Sequence, residues 1–172
     1  RVILIEPTRW LGGMTGGAIN HLDWGKGETV GGSTYRILME GLKDQKRAHG
    51  GHAKHGIGNK QYRERFKKLV KDRGITVIYN HRVGKVQVGD ETINKPTRQK
   101  PIAMGEKVAS KNKNNSIQSI TLDYAPVDET GCPIPEPKKR NAVTVSAKVF
   151  IDCSYEGDLL AMSGVNYTWG RE

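Results

Sequence analysis

A chain of 172 residues with 35% hydrophobic content can bury a modest core, enough for one domain or for one and part of another. No stretch approaches the roughly eighteen apolar residues of a membrane helix, and no charged-then-apolar export segment opens the chain. The 28 basic against 18 acidic residues give a net charge of +10, which raises polyanion binding as a function class. Their distribution argues against a nucleic-acid groove. Lysines and arginines are spread over a helix (63–73), a polar loop (95–113) and a short run (138–140), without the interleaved aromatics on which bases stack.

In chain order, Val2 to Ile5 form an unbroken aliphatic run, as expected for a strand covered on both faces in a parallel sheet. Glu6 stands at its carboxyl end. In an open α/β sheet a nucleotide lies at that end, where a carboxylate accepts hydrogen bonds from both hydroxyls of an adenosine ribose and repels a 2′-phosphate. The pairs Gly12-Gly13 and Gly16-Gly17 lack Cβ atoms, so their backbone can approach a ligand and offer amide donors. This strand and loop read as the second strand of a Rossmann unit. The sequence opens within the strand and without an initiator methionine, so it reads as a piece of a longer protein whose G-x-G-x-x-G phosphate loop would lie upstream.

The segment His21 to Gly25 has no clear period; His21 or Asp23 either faces substrate or belongs to a loop capped by Asp23. Tyr35, Leu38, Met39 and Leu42 form one face of a helix with Ser33 as N-cap. His49, His52 and His55 recur at metal-like intervals, but Gly50, Gly51 and Gly56 break the helix that would align them, and no cysteine or carboxylate completes a coordination sphere, so no metal is expected. A second helix runs from Asn59 to Arg73, with Tyr62, Phe66, Leu69 and Val70 on one face and Gly74 as its stop. Ile75–Tyr79 is a strand, continued by Arg82–Val86. Residues 90–115 are an exposed excursion, Ser116–Tyr124 an antiparallel strand, and Asp128–Lys139 a proline-rich surface loop with a turn at Thr130-Gly131. Val143 and Val145 restore strand character, and Lys148–Asp152 is expected to be a strand leading into a helix start at Tyr155–Asp158. Acids in that first turn also suit the positive end of a helix dipole. Cys132 and Cys153 make no disulfide framework, and Cys153 reads as a buried small residue.

Two segments carry a resemblance. Ile3-Leu4-Ile5-Glu6-Pro7 followed by Leu11-Gly12-Gly13-Met14, and Val149 to Leu159 at the other end, are similar to the FAD-dependent oxidoreductases of the two-dinucleotide-binding-domain type. Where many members of that family carry a small-residue and glycine turn, this chain has Cys153-Ser154-Tyr155. The resemblance implies an α/β fold: a partial Rossmann-like FAD-binding parallel sheet over 1–84 and 148–172, with an antiparallel β meander inserted at 85–147. It implies FAD as cofactor, contacted by Glu6, Pro7, Arg9, Gly12, Gly13, Met14, Val83, Asp152, Cys153, Ser154, Gly157 and Asp158. It also implies hydride transfer from a small-molecule substrate to the flavin, with the catalytic residues and oligomeric state unreadable. No specific nucleic acid and no membrane are expected as partners, and the cytoplasm is the default location. The rival readings are a basic nucleic-acid or polyanion-binding module and a non-catalytic flavoprotein-like scaffold.

Overall fold

The aliphatic run that opens the chain forms strand β1 (Ile3–Glu6), as its β-branched and aliphatic composition favours. The computed structural model describes residues 1–17, 31–38, 58–95, 116–136, 138–165 and 167. They divide into two units, Arg1–Asn80 with Val127–Pro133, and His81–Pro126 with Ile134–Glu172. His21, Asp23 and the His49, His52, His55 series lie outside the described residues, as do Met39 and Leu42.

In the first unit, β1 is followed by the short helix α1 (Gly13–Gly17), then by α2 (Gly32–Leu38) and α3 (Gly58–Asp72), and returns as β2 (Thr76–Tyr79). The two strands are parallel, in the register Ile3↔Thr76 to Glu6↔Tyr79. This is the β–helix–β crossover that parallel pairing requires. The expectation that β1 is covered on both faces is corrected: Val2 is 60% and Ile3 46% exposed. Among the described residues β1 has one ladder partner, so nothing covers the start of the strand as a central position would. The α2 helix starts at Gly32, placing Ser33 inside its first turn rather than at its cap.

The α3 helix ends as its glycine predicts. The amide of Ile75 donates to Val70 O (2.9 Å) and that of Gly74 to Lys71 O (3.0 Å), the paired bonds of a Schellman motif, with Gly74 at φ 61°. Tyr62 is buried on the inner face of α3, and Leu11 is buried in the loop after β1. Phe66 lies against Gly12, where an added Cβ would sit 2.5 Å from two ring carbons.

The second unit is an antiparallel sheet in the order β4-β3-β5-β6, formed by β3 (His81–Val88), β4 (Glu91–Ile93), β5 (Ile117–Tyr124) and β6 (Lys138–Val145). Period-2 alternation positions its core: Val86 and Val88 on β3 and Ile120 and Leu122 on β5 are buried, with Val86 opposite Ile120. The β6 ladder already begins at Lys138, opposite Tyr124, so the strand takes the last two residues of the proline-rich loop that composition predicts to run to Lys139.

Lys148–Asp152 is not a strand. Val149 and Ile151 are 72% and 77% exposed and pair with nothing in either sheet. A strand exists only where a neighbour supplies its ladder, and none of the described strands does so here. The following helix is α4 (Asp158–Met162), which packs on β3 and buries Met162.

We predict that Gly12→Ala destabilises the first unit by about 1 to 3 kcal/mol, because it combines a φ of 106° with overlap of the Phe66 ring. Denaturant melts of Gly12→Ala, Phe66→Leu and the double variant measure this. Additive losses would show that the ring is not the obstacle.

Candidate functional site

Glu6 closes β1, and the chain turns away from the sheet immediately after it. Its Oε1 accepts from the Thr8 amide (2.9 Å) and lies 2.7 Å from the Thr8 hydroxyl. That hydroxyl is also 2.8 Å from Trp10 O and accepts from the Trp10 amide at 3.2 Å. A hydroxyl has one proton, so Thr8 serves Glu6 or Trp10 O at any moment. The result is a half-buried carboxylate at the carboxyl end of a parallel strand pair, oriented through one of its two oxygens.

The next residues are fixed by Arg63 on α3. Its guanidinium stacks over the Trp10 ring, 4.0 Å from the centroid. The same group donates through Nε to Gly16 O and through Nη2 to Gly17 O (3.4 Å). A Cβ on Gly17 would lie 2.8 Å from Trp10 Nε1, and one on Gly16 would overlap Leu11 O. Gly12, Gly16 and Gly17 therefore leave room for the chain's own packing. Gly13 differs: at φ 50° a Cβ there meets nothing within 4 Å among the described residues.

Glu6, Pro7, Arg9, Gly12, Gly13 and Met14 thus fall within one stretch of the first unit, with Arg9 exposed and Met14 49% exposed. Arg9 is held by a bond from Nη2 to Asp128 O (3.0 Å). Asp128 organises its own turn, accepting at Oδ1 from the Thr130 hydroxyl (2.7 Å) and the Cys132 amide (3.0 Å). The Thr130 hydroxyl first, then the Cys132 amide, hold the Asp128 carboxyl below the usual aspartate range.

Val83, Asp152, Cys153, Ser154, Gly157 and Asp158 belong to the second unit. Val83 lies on β3 opposite Leu122, beside a bulge at Gly84. Asp152 is a remote helix cap. Its Oδ1 accepts from the Ser154 amide (2.9 Å) and hydroxyl (2.7 Å), and its Oδ2 from the Leu160 amide (3.0 Å) in the first turn of α4. Gly157, at φ 66°, occupies the N-cap and has no side chain to offer, so the carboxylate five residues upstream satisfies an orphan amide. Burial raises the Asp152 pKa, but the bonds from Ser154 and Leu160 outweigh it and leave the carboxyl below its ordinary value. Cys153 is exposed and free, as is Cys132, which corrects the buried reading. The turn that presents Cys153 follows a segment that joins no sheet, so nothing encloses the thiol.

Sequence reasoning missed Thr8, Trp10 and Arg63. A threonine in a loop is a signal for a turn in which its hydroxyl accepts from the amide two residues on, the bond that Thr8 makes to Trp10. No signal links Trp10 to Arg63, which lie far apart in sequence. The expectation of a solvated basic face on α3 holds only in part: Arg63 is half-buried against Trp10, Arg65 donates to Ile37 O (2.6 Å), and Lys67 and Lys68 pair with Glu64 (2.9 Å) and Asp72 (2.5 Å). Among the described residues no three His, Cys, Asp or Glu side chains gather as a metal site, and no helix is long and apolar enough to cross a membrane.

The donor set can be tested against a nucleotide. A ribose diol offers two hydroxyl donors, and Glu6 offers an oriented carboxylate with an oxygen outside the Thr8 pair, so the two fit. Comparison with known proteins matches the chain to the FAD dependent oxidoreductase family, over residues 1–111 and 134–172. No curated protein and no solved structure matches the chain.

Because its pKa is lowered in the fold, Asp152 stabilises the native state above the unfolded aspartate pKa of about 3.9, and that contribution is lost as pH falls through the folded value. We predict that Asp152→Asn lowers Tm at pH 7, by about 1 kcal/mol of cap, and that the gap to the parent closes as pH falls below about 4. A gap that stays constant across that range would show that the charge is irrelevant to the cap.

Proposed function

Since the chain belongs to the FAD-dependent oxidoreductase family, whose cofactor is FAD, we propose that it supplies the adenosine-side contacts of a flavoenzyme that oxidises a small-molecule substrate. The observation that carries this reading is Glu6, a carboxylate at the carboxyl end of a parallel strand pair, held by Thr8 with its other oxygen outside that contact. Glu6 accepts from the ribose hydroxyls. Pro7 and Arg9 shape the loop beside it, and the backbone at Gly13, followed by Met14, lies along the cofactor. In the second unit, Val83 and the Asp152–Asp158 turn take the remaining contacts, with Asp152 acting through the position of that turn because both its oxygens already bind the chain.

FAD, when bound, supplies a two-electron acceptor, and the substrate loses a hydride to it and a proton to a base. The chain's own part is binding and orientation. A carboxylate at Glu6 disfavours a 2′-phosphate, which keeps the site for the cofactor without one.

We predict that Glu6→Gln in the native protein weakens FAD affinity roughly 10- to 150-fold, the range for hydrogen bonds to a charged acceptor, without lowering Tm by more than a few degrees. Flavin absorbance after gel filtration and titration by flavin fluorescence measure it. Unchanged flavin content would remove Glu6 from the site.

A further inference from the structure

The turn Val127–Pro133 packs on the Arg9-Trp10 loop, and we infer that it is a clasp that positions the adenosine-binding side of the site. The inference rests on the reading of Glu6 given above.

The turn is rigid in its own right. Val127 and Pro133 form a bridge, the Asp128 amide donates to Cys132 O (2.8 Å), and the Gly131 amide donates to Asp128 O (3.0 Å). The Asp128 carboxylate ties Thr130 and Cys132 from within. It meets the loop at two points. Arg9 donates to the same Asp128 carbonyl, whose two lone pairs accommodate both bonds. Gly131 is buried on the Trp10 ring: at φ 85°, a Cβ there would overlap Trp10 Cζ3 and stand 2.8 Å from both Trp10 Cη2 and Arg9 Cγ.

Trp10 is therefore contacted by both Gly131 and the Arg63 guanidinium. Its amide and carbonyl bind the Thr8 hydroxyl, which binds Glu6. A continuous set of contacts thus runs from Asp128 through Trp10 and Thr8 to the ribose acid, all within one unit. Residues 112–133, which contain the turn, fall outside the family match. Asp128, Thr130 and Gly131 act as positioning residues.

The test uses Gly131→Val, which forces the turn off Trp10, and Thr130→Ala, an exposed change that spares the fold, with Thr130→Ser as the rescue. Amide exchange of the peptide covering Thr8–Leu11 reads the loop directly. Affinities for FAD and for FMN, which lacks the adenosine, read the site. We expect faster loop exchange, FAD affinity lower by on the order of tenfold, unchanged FMN affinity, and recovery in Thr130→Ser. Unchanged exchange, or equal losses for FAD and FMN, would overturn the clasp. Glu6→Gln run in parallel separates the two ideas: if it weakens FAD binding and the turn variants do not, the clasp falls and the ribose assignment stands, and if the turn variants weaken FAD binding and Glu6→Gln does not, the ribose assignment falls and takes the clasp's action through Glu6 with it.

Discussion

The short helix α1 ends in carbonyls that have no following turn to bind them, and Arg63 supplies donors to two of them. One guanidinium binds Gly16 O and Gly17 O in its plane and covers Trp10 with its face. Only an arginine combines in-plane donors with a flat cation that stacks, which a lysine ammonium cannot reproduce. The close approach of α3 in turn requires Gly12 to be bare, while Gly16 and Gly17 have to be bare because they lie against Leu11 O and the Trp10 ring. The glycine-rich loop is thus built around helix α3 before any ligand is considered.

The second unit depends on a different constraint. Its sheet buries Val86, Val88, Ile120 and Leu122 on one face, and Met162 of α4 is buried as that helix packs on β3. The α4 helix is short, and short helices gain little from their own backbone bonds. Its start is held by Asp152 and its end by the buried Met162, so the same carboxylate that closes the turn after residue 151 fixes the helix that completes the core.

Local patterns made much of this legible. The β1 strand, the α3 helix with its Gly74 stop, and the alternation of Ile117, Ile120 and Leu122 follow from periodicity and turn chemistry, and all three stand in the structure. The strand expected at Lys148–Asp152 had the right composition, yet a strand is a property of a pair, and composition says nothing about the neighbour. The acid at Glu6 was legible because its type and place follow from strand chemistry. Trp10, Arg63 and the Asp128 turn were not, because contacts between residues so distant in sequence are created by the fold and leave no spacing to read.

The Thr8 hydroxyl gives the Glu6 site a property that a bare carboxylate lacks. A free glutamate must lose its rotamer freedom when a ligand binds, at a cost that subtracts from affinity. Glu6 is already oriented by the Thr8 amide, so less of that freedom remains to be lost. A donor arriving at Oε1 would also compete with the Thr8 hydroxyl, and displacing a buried donor is costly when it is left without a partner. Here the proton has a second acceptor within reach, Trp10 O at 2.8 Å against Glu6 Oε1 at 2.7 Å. Rotation of one hydroxyl therefore frees the carboxylate oxygen for an incoming donor and leaves the Thr8 proton satisfied. That exchange works only while Trp10 O stays in place, which ties the chemistry of the acid to the packing of the ring beside it.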